Sequence, residues 1–226
     1  MKPSQRAIEA GQAVYSSRTL SLYDLFVLGI CNRLVWRCPT PEQREHYQRW
    51  LSGNHLDVGV GTGYYPDRCR FPVARPRLGL MDLNDSVLQY AGRRLRRYKP
   101  EIIQHDVFQP VEAGLDGFDS VAVNYLFHCL PGTMAEKGIV LDNLRGLMNP
   151  GARLFGTTIL GRGVERNAPA RRLMALYNRK GIFANNGDDR TGLERELHAR
   201  FDNVQTTIVG CVALFSARAT PDPHIS

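Results

Sequence analysis

The chain has 226 residues, a length that suits a single α/β domain with a sizeable buried core. Hydrophobic residues make up 43% and charged residues 23% of the sequence, which argues against wholesale disorder. The formal net charge of +7 raises nucleic acid, an anionic membrane or an acidic substrate as partners. Residues 51–160 are nearly neutral, with 12 basic and 11 acidic side chains, so the excess lies towards the two ends and does not favour nucleic acid.

The first fifty residues predict helices. Residues 20–36 carry apolar side chains around much of a helix, so this segment is expected to pack against the rest of the chain. Pro41 can open a second helix that runs to Trp50. The N-terminus has no apolar signal region, and the longest apolar stretch, 25–31, is far shorter than the roughly 20 residues of a membrane span.

Short apolar runs then alternate with helical patterns. Strands are predicted at 55–58, 77–81, 101–105, 118–123 and 152–159. Helices are predicted from Tyr64, over 85–97 with a capping side chain from Asn84 or Asp85, and over 133–148. Such alternation predicts a parallel sheet with helices on both faces.

The end of the chain departs from this alternation. The β-rich runs 202–208 and 211–217 are separated by only two residues. Because parallel strands cannot be joined by so short a link, these runs predict a hairpin that adds an antiparallel strand to the sheet.

The cysteines give no support for a metal or redox site. No pair has CxxC spacing, and an odd number fits reduced thiols. They are scattered along the chain at Cys31, Cys38, Cys69, Cys129 and Cys211. We therefore expect a cytoplasmic protein without a bound metal ion.

The segment 56–63, LDVGVGTG, follows a predicted strand and precedes a predicted helix. Glycines at such a turn let the backbone approach a ligand closely. A dinucleotide-binding GxGxxG loop would need glycine at Tyr64, and no Lys-Ser/Thr pair follows to make a P-loop. The pattern is instead acid-x-G-x-G-x-G, with Asp57 two residues before Gly59.

Two further acids end the next two predicted strands. Asp82 stands where a carboxylate can accept hydrogen bonds from both hydroxyls of a ribose. Asp106 can accept from an exocyclic amine while its neighbours Val107 and Phe108 cover a purine ring. Each acid alone could equally be a helix cap or a solvated strand end; three acids beside one glycine loop indicate a nucleoside site.

These motifs resemble those of the class I S-adenosylmethionine-dependent methyltransferases. LDVGVGTG is similar to their first motif, MDLND to the end of their second strand and HDV to their adenine-side motif. FDSVAVNYLFHCL and LRGLMNPGARLFGTTI resemble their fourth and fifth strands, and the terminal hairpin resembles their antiparallel seventh strand. The resemblance implies one α/β domain with a Rossmann-like, seven-stranded, mostly parallel sheet.

The resemblance also implies a division of the domain. Residues 1–50 would form a helical N-terminal cap and 51–160 the cofactor-binding core. Residues 161–200 would be a substrate-cap insertion, and 201–218 the terminal β-hairpin.

The resemblance implies S-adenosylmethionine as cofactor. The residues expected to bind it lie at the strand ends and in the N-terminal helix: Tyr23, Asp57, Gly59, Val60, Gly61, Gly63, Asp82, Leu83, Asp106, Val107 and Asn124. The glycine loop would line the methionine and ribose portions, and Asp57 would orient the loop or the amino group. Asp82 would hold the ribose hydroxyls and Asn124 would face the sulfonium. Tyr23 can cover the cofactor through a cation–π contact, or pack in the core.

The remaining cofactor residues would frame the adenine ring. They are Leu83, Asp106 and Val107.

Candidate residues for the methyl acceptor follow the fourth strand and lie in the expected substrate cap. His128 is a candidate general base, because an imidazole that titrates near neutrality can take a proton from a hydroxyl, thiol or amine. Tyr177, Phe183 and Asn185 supply the mixture of apolar walls and polar groups that a substrate pocket needs. Local capping or packing is the alternative interpretation for His128, and an ordinary helix connection for the other three.

The sequence therefore predicts S-adenosylmethionine-dependent methyl transfer to an N, O or S nucleophile of a small molecule, with a specialised metabolite as the candidate acceptor. An RNA- or protein-modifying methyltransferase and a non-catalytic cofactor-binding protein are the alternatives. An NAD-dependent oxidoreductase is disfavoured by the glycine spacing and the terminal hairpin.

Overall fold

The structure, a computed structural model, describes residues 24–111 and 114–220. Within these residues the strands are β1 Asn54–Val58, β2 Arg77–Asp82, β3 Glu101–Gln104, β4 Phe118–Asn124, β5 Met148–Ile159, β6 Asp202–Val209 and β7 Val212–Arg218. The helices are α1 Asp24–Val35, which has π-helical hydrogen bonding, α2 Thr40–Trp50, α3 Tyr64–Arg68, α4 Asp85–Arg94, α5 Met134–Arg145, α6 Ala168–Arg179 and α7 Arg190–His198, with short 3-10 turns at Arg96–Tyr98 and Phe127–Cys129. No described helix is long and apolar enough to cross a membrane.

The strands form one seven-stranded sheet with the order β3-β2-β1-β4-β5-β7-β6. Strands β1 to β5 pair in parallel, and β7 runs antiparallel to both of its neighbours. The predicted mostly parallel sheet with an antiparallel terminal strand is confirmed. The hairpin turn lies at Gly210 and Cys211, since Val209 already pairs with Val212.

The strand order creates a crevice beside β1. The chain leaves β1 towards β2 and β3 on one side, and later returns to place β4 and β5 on the other side. At such a reversal the connections diverge beyond the carboxyl ends of the strands, and this is where open α/β sheets bind ligands. The glycine loop after β1 and the segment after Asn124 of β4 border this crevice.

The two faces of the sheet are covered by different helices. Leu56, Val58, Val121 and Val123 face one apolar cluster, which includes residues of α5 and α7. The alternate residues of the same strands point to the opposite face, where Tyr47 of α2 packs. We call this second side the α2 face; it carries His55, Asp57, Ala122, Asn124, Phe155 and Thr157.

Two helices end earlier than the sequence patterns predicted. The helix predicted over 85–97 ends at Arg94 and continues as a short 3-10 turn, Arg96–Tyr98, before the chain enters β3. The helix predicted over 133–148 ends at Arg145, because Met148 already pairs with Phe118 in the sheet. The predicted cap is present: Asn84 accepts a hydrogen bond from the backbone N–H of Ser86 at 2.9 Å.

A close backbone approach at the terminal hairpin yields a stability prediction. Gly210 has φ +58, and a Cβ at this position would lie 2.2 Å from the carbonyl oxygen of Trp36. We expect Gly210→Ala to lower the free energy of unfolding by about 2 kcal/mol or more, from left-handed strain and this clash. Gly187→Ala is the matched control, since no atom lies within 4 Å of its Cβ position. Equal denaturant midpoints for the two variants would contradict the prediction.

Candidate active site

The glycine loop turns sharply at three left-handed positions. Gly59, Gly61 and Gly63 have φ values of +66, +54 and +70. A Cβ on Gly59 would meet Leu126 at 3.0 Å and one on Gly63 would meet Leu95 at 3.0 Å, so these two glycines permit close packing. At Gly61 nothing lies within 4 Å, and there the backbone borders open space.

Val60 contributes to this loop through its backbone. Its side chain is buried in an apolar cluster with Leu78 and Leu88, behind the loop. The structure therefore places Val60 in the loop but directs its side chain into the core.

Asp57 is buried on the α2 face, directly below the glycine loop. Its Oδ2 accepts a hydrogen bond from the Tyr47 hydroxyl at 2.9 Å. Burial raises the pKa of Asp57 to about 7, although the Tyr47 hydrogen bond opposes the rise and the charge of Asp82 adds to it. A buried carboxylate of this kind is uncommon outside functional sites.

Asp82 is half-buried at the end of β2 and connects that strand to the glycine loop. Its Oδ1 accepts from the backbone N–H of Asn84 at 2.9 Å. Burial raises the pKa of Asp82 to about 6, against hydrogen bonds from the backbone N–H groups of Asn84, Leu83 and Gly61. The carboxylate is therefore mostly charged at neutral pH, and it borders the open side of the loop.

The residues expected to frame adenine lie side by side at the ends of β2 and β3. Leu83 is exposed, and its carbonyl oxygen accepts from Gln104 Nε2 at 3.2 Å. Asp106 accepts from the N–H of Phe108 at 3.0 Å, and Val107 is half-buried against the main core. An exposed apolar leucine beside a carboxylate can cover and pair with a purine ring.

Asn124 ends β4 on the same face as Asp57. Its Oδ1 accepts from the Thr157 hydroxyl at 3.2 Å, which directs the amide. Its Nδ2 is buried and has no hydrogen-bond partner among the described residues. Because buried amide donors are nearly always paired, this N–H group is one that a ligand in the crevice can satisfy.

Tyr125 follows Asn124 in a strained backbone conformation, with φ +56. Its hydroxyl donates to Asn32 Oδ1 at 2.8 Å and accepts from Gln43 Nε2 at 2.7 Å. Tyr65 of α3 donates to Gln43 Oε1 at 2.7 Å. Gln43 thus joins the end of β4 to the helix that follows the glycine loop.

The surroundings of His128 do not favour titration near neutrality, and its role as a general base stays a prediction. The ring is buried, its Nδ1 accepts from the Ile159 N–H at 3.4 Å, and Phe183 packs against it with 4.5 Å between ring centroids. Burial, followed by the positive charge of Lys137, lowers the pKa of His128 to about 3. The lowered pKa favours the neutral imidazole at physiological pH.

Tyr177 and Phe183 lie in an aromatic cluster that continues from the end of β4. Their ring centroids are 5.0 Å apart, and Phe183 also contacts Trp36 at 5.9 Å. Tyr177 is half-buried, whereas Phe183 is buried. We refer to Trp36, Tyr125, His128, Tyr177 and Phe183 as the aromatic cluster.

Asn185 does not present its amide to the crevice. Its Nδ2 donates to the Ile159 carbonyl oxygen at 2.9 Å, and its Oδ1 accepts from Asn178 Nδ2 at 2.9 Å. Both ends of the amide are used inside the protein, which does not favour the expected substrate contact.

The sequence interpretation missed a buried ion pair behind the aromatic cluster. Lys137 Nζ lies 2.6 Å from Asp188 Oδ2 with both side chains almost fully buried, and it also donates to the Ala184 carbonyl oxygen at 2.9 Å. The pair fixes residues 183–188 over His128. No local pattern distinguishes these charges from solvated ones.

The cofactor residue expected in the N-terminal helix and the question of a metal site remain. Tyr23 lies outside the described residues. Within the described residues, no group of three or more His, Cys, Asp or Glu side chains is placed to hold a metal ion.

Comparison with known proteins places this geometry in a family. A family model described as a methyltransferase domain matches residues 56–154. The demethylluteothin O-methyltransferase of Streptomyces thioluteus is 38% identical over 210 residues, covering 93% of this chain and 91% of that protein. A physcion biosynthesis cluster O-methyltransferase of Aspergillus chevalieri is 35% identical, covering 95% of this chain and 97% of that protein.

Solved structures share the fold at low sequence identity. The DhpI–SAH complex has a TM-score of 0.70 and 17% identity, covering 97% of this chain and all of that one. The N-methyltransferase NodS of Bradyrhizobium japonicum WM9 in complex with S-adenosylhomocysteine has a TM-score of 0.61 and 15% identity, with the same coverage.

The sheet order, the glycine loop and the acids at the strand ends define a class I methyltransferase. This chain belongs to the family of small methyltransferases that includes the Streptomyces and Aspergillus enzymes. It is an enzyme that transfers a methyl group from S-adenosylmethionine, as the sequence predicted.

Proposed function

We propose that the enzyme methylates an acidic hydroxyl, a phenol or an enol, on a small planar metabolite. The observation that carries this proposal is the neutral, buried state of His128 within the aromatic cluster. An imidazole with a pKa near 3 gives little general-base assistance, so the acceptor must give up its proton readily. Tyr125 and Tyr177, the half-buried members of the aromatic cluster, would supply apolar walls for a flat acceptor. Relatives named O-methyltransferases support the choice of oxygen.

The residues at the crevice fit S-adenosylmethionine. Gly61 leaves open the space that a side chain would fill, and the buried Nδ2 of Asn124 lacks a partner among the described residues. In this proposal the loop from Gly59 to Gly63, with Val60 contributing its backbone, holds the methionine and ribose portions. Asp57 accepts from the amino group, and Asp82 accepts from the ribose hydroxyls.

The adenine and acceptor sides complete the assignment. Leu83, Asp106 and Val107 would frame the adenine ring, and the Asn124 amide would face the reacting atoms. Bound S-adenosylmethionine supplies an electrophilic methyl group on a positively charged sulfur. The acceptor would bind as its phenolate or enolate, its proton having passed to solvent water. The protein's part would be to align that oxygen with the methyl carbon and to exclude water, and S-adenosylhomocysteine would be the leaving thioether.

Substrate recognition is assigned to the ends of the chain. Residues 1–50 and 161–200 would cap the core formed by 51–160, with Tyr177 and Phe183 as acceptor walls and the hairpin 201–218 completing the sheet. The acceptor is a small molecule and no nucleic acid is required. A cytoplasmic setting is supported by the five cysteines, none of which is in a disulfide.

An acceptor panel tests the proposed reaction. The enzyme is incubated with methyl-labelled S-adenosylmethionine and planar phenols, each matched with the corresponding aniline and aliphatic alcohol. We expect the label on phenolic oxygen, with a rate that rises with pH as the phenol ionises and shows no imidazole inflection near pH 6.5. Methylation of the anilines alone, or of RNA or protein, would contradict the proposal.

The charge of Asp82 yields a prediction for cofactor binding. The Asp82 carboxyl has a pKa of about 6, so it is ionised and accepts hydrogen bonds from both ribose hydroxyls only above that pH. Asp57, with a pKa of about 7, loses its charge over a similar range of pH. Calorimetry with S-adenosylhomocysteine should therefore show affinity falling as pH is lowered from about 8 to about 5. Asp82→Asn should weaken binding about tenfold or more at the upper end of this range.

Gly61→Val is the second arm of this experiment, because its side chain would enter the open space in a strained backbone conformation. Unchanged affinity in both variants would contradict the assigned cofactor site.

A further inference from the structure

Helix α2 reaches into the cofactor side of the sheet with a tyrosine that the family motifs do not include. Tyr47 is fully buried, and its ring stacks on Tyr65 of α3 with 5.4 Å between centroids. Its hydroxyl lies 2.9 Å from Asp57 Oδ2 and 2.7 Å from His55 Nε2. One hydroxyl on α2 therefore touches both polar residues of β1 on the α2 face.

The hydrogen-bond chain continues behind Tyr47, and its direction follows from the donor that Asp57 receives. His55 Nδ1 lies 2.8 Å from Ser120 Oγ, and Ser120 Oγ also accepts from the Ser52 N–H at 3.1 Å. Burial lowers the pKa of His55 to about 3, so this ring is neutral and carries one N–H. When Tyr47 donates to Asp57, His55 must donate to Tyr47 from Nε2 and accept from Ser120 at Nδ1.

Every donor in this chain then points towards the Asp57 carboxylate. Burial and the neighbouring Asp57 raise the pKa of Tyr47 well above 10, so the hydroxyl keeps its proton. Successive hydrogen bonds polarise one another, and an aligned chain stabilises a negative charge at its accepting end. Such stabilisation is needed because a carboxylate without compensating donors is costly to bury.

The geometry points to Tyr47 as a positioning residue for the cofactor site: at the end of the Ser120–His55 chain, it donates to the Asp57 carboxylate, favours its ionised form and orients it below the glycine loop. This inference rests on the proposed role of Asp57 in cofactor binding. Helix α2 then contributes directly to the cofactor site through Tyr47, besides its proposed place in the N-terminal cap.

The other titratable groups around Asp57 come from several elements. The charge of Asp82, at the end of β2, raises the pKa of Asp57, and the hydrogen bond from Tyr47 of α2 lowers it. Cys69, after α3, is close enough for its own pKa to be raised by Asp57. Tyr65 of α3 stacks on Tyr47, and His55 lies two residues before Asp57 on β1.

The test uses the full chain and S-adenosylhomocysteine as the probe. Tyr47→Phe removes only the hydroxyl and keeps the stacked ring. We expect its affinity, measured by calorimetry near pH 7, to fall about tenfold, the size expected for losing a hydrogen bond to a charged group. Tyr98→Phe is the matched control, because Tyr98 lies before β3, at the opposite end of the strands from the crevice.

A double-mutant cycle separates positioning from general packing. In an Asp57→Asn background, Tyr47→Phe should cause little further loss of affinity, because the charge that the hydroxyl serves is gone. An equal loss in both backgrounds, or no loss in the single variant, would overturn the inference. Failure of the wild-type chain to bind the probe, or full affinity in Asp57→Asn, would instead contradict the proposed cofactor site.

A second readout needs no ligand and remains valid if Tyr47→Phe is less stable. The carboxyl carbon of Asp57 is followed by NMR as pH is varied in the wild-type and Tyr47→Phe proteins. Loss of the donor should move the Asp57 titration midpoint upwards, since the ionised form loses a hydrogen bond. An unchanged midpoint in a folded variant would overturn the inference.

Discussion

The burial of the Asp57 carboxylate beneath the glycine loop is the constraint on which the rest of the site depends. An ionised carboxylate in that position needs donors, and Tyr47 supplies one from a helix outside the central βαβ units. Helix α2 must therefore pack on the α2 face in a single register. That packing also brings Gln43 against Tyr65 and Tyr125, so the glycine-loop helix and the end of β4 are fixed by the same element.

The crevice is consequently divided into two unlike halves. The half beside β1 and β2 carries two carboxylates and an open glycine backbone, which suits a cationic and hydroxyl-rich ligand. The half beyond β4 carries the aromatic cluster, held down by residues 183–188 and the buried Lys137–Asp188 pair. Asn124 lies between the halves, and its Nδ2 has no hydrogen-bond partner among the described residues. In the proposed reaction the cationic cofactor would occupy the first half and the planar acceptor the second.

Local patterns in the sequence were sufficient for the sheet and for the position of the glycine loop. Each strand is marked by its own apolar run, and the two-residue link before Cys211 required the antiparallel hairpin. Helix ends were less accurate: α5 stops at Arg145 because of the pairing between Met148 and Phe118, which lies outside the local pattern. The acids at the strand ends were predictable, since parallel strands bring their carboxyl ends to one edge.

The environment of each side chain was not predictable in the same way. The place of His128 after β4 predicts a base, but its pKa depends on burial beneath Phe183, 55 positions later in the chain. Asn185 is a residue type common in substrate pockets, but both ends of its amide form hydrogen bonds with partners inside the protein. Tyr47 and Gln43 are one helical turn apart, a spacing that indicates a shared face, but only the tertiary contacts reveal that this face is polar and buried.

A crystal structure of the complex with S-adenosylhomocysteine tests the central claim most directly. The account predicts the amino group of the ligand beside Asp57, with the Tyr47 hydroxyl still on the other side of that carboxylate. It also predicts the ribose hydroxyls on Asp82 and the sulfur near the Asn124 amide. A ligand bound elsewhere, or one that leaves Asp57 and Asn124 without contact, would contradict it.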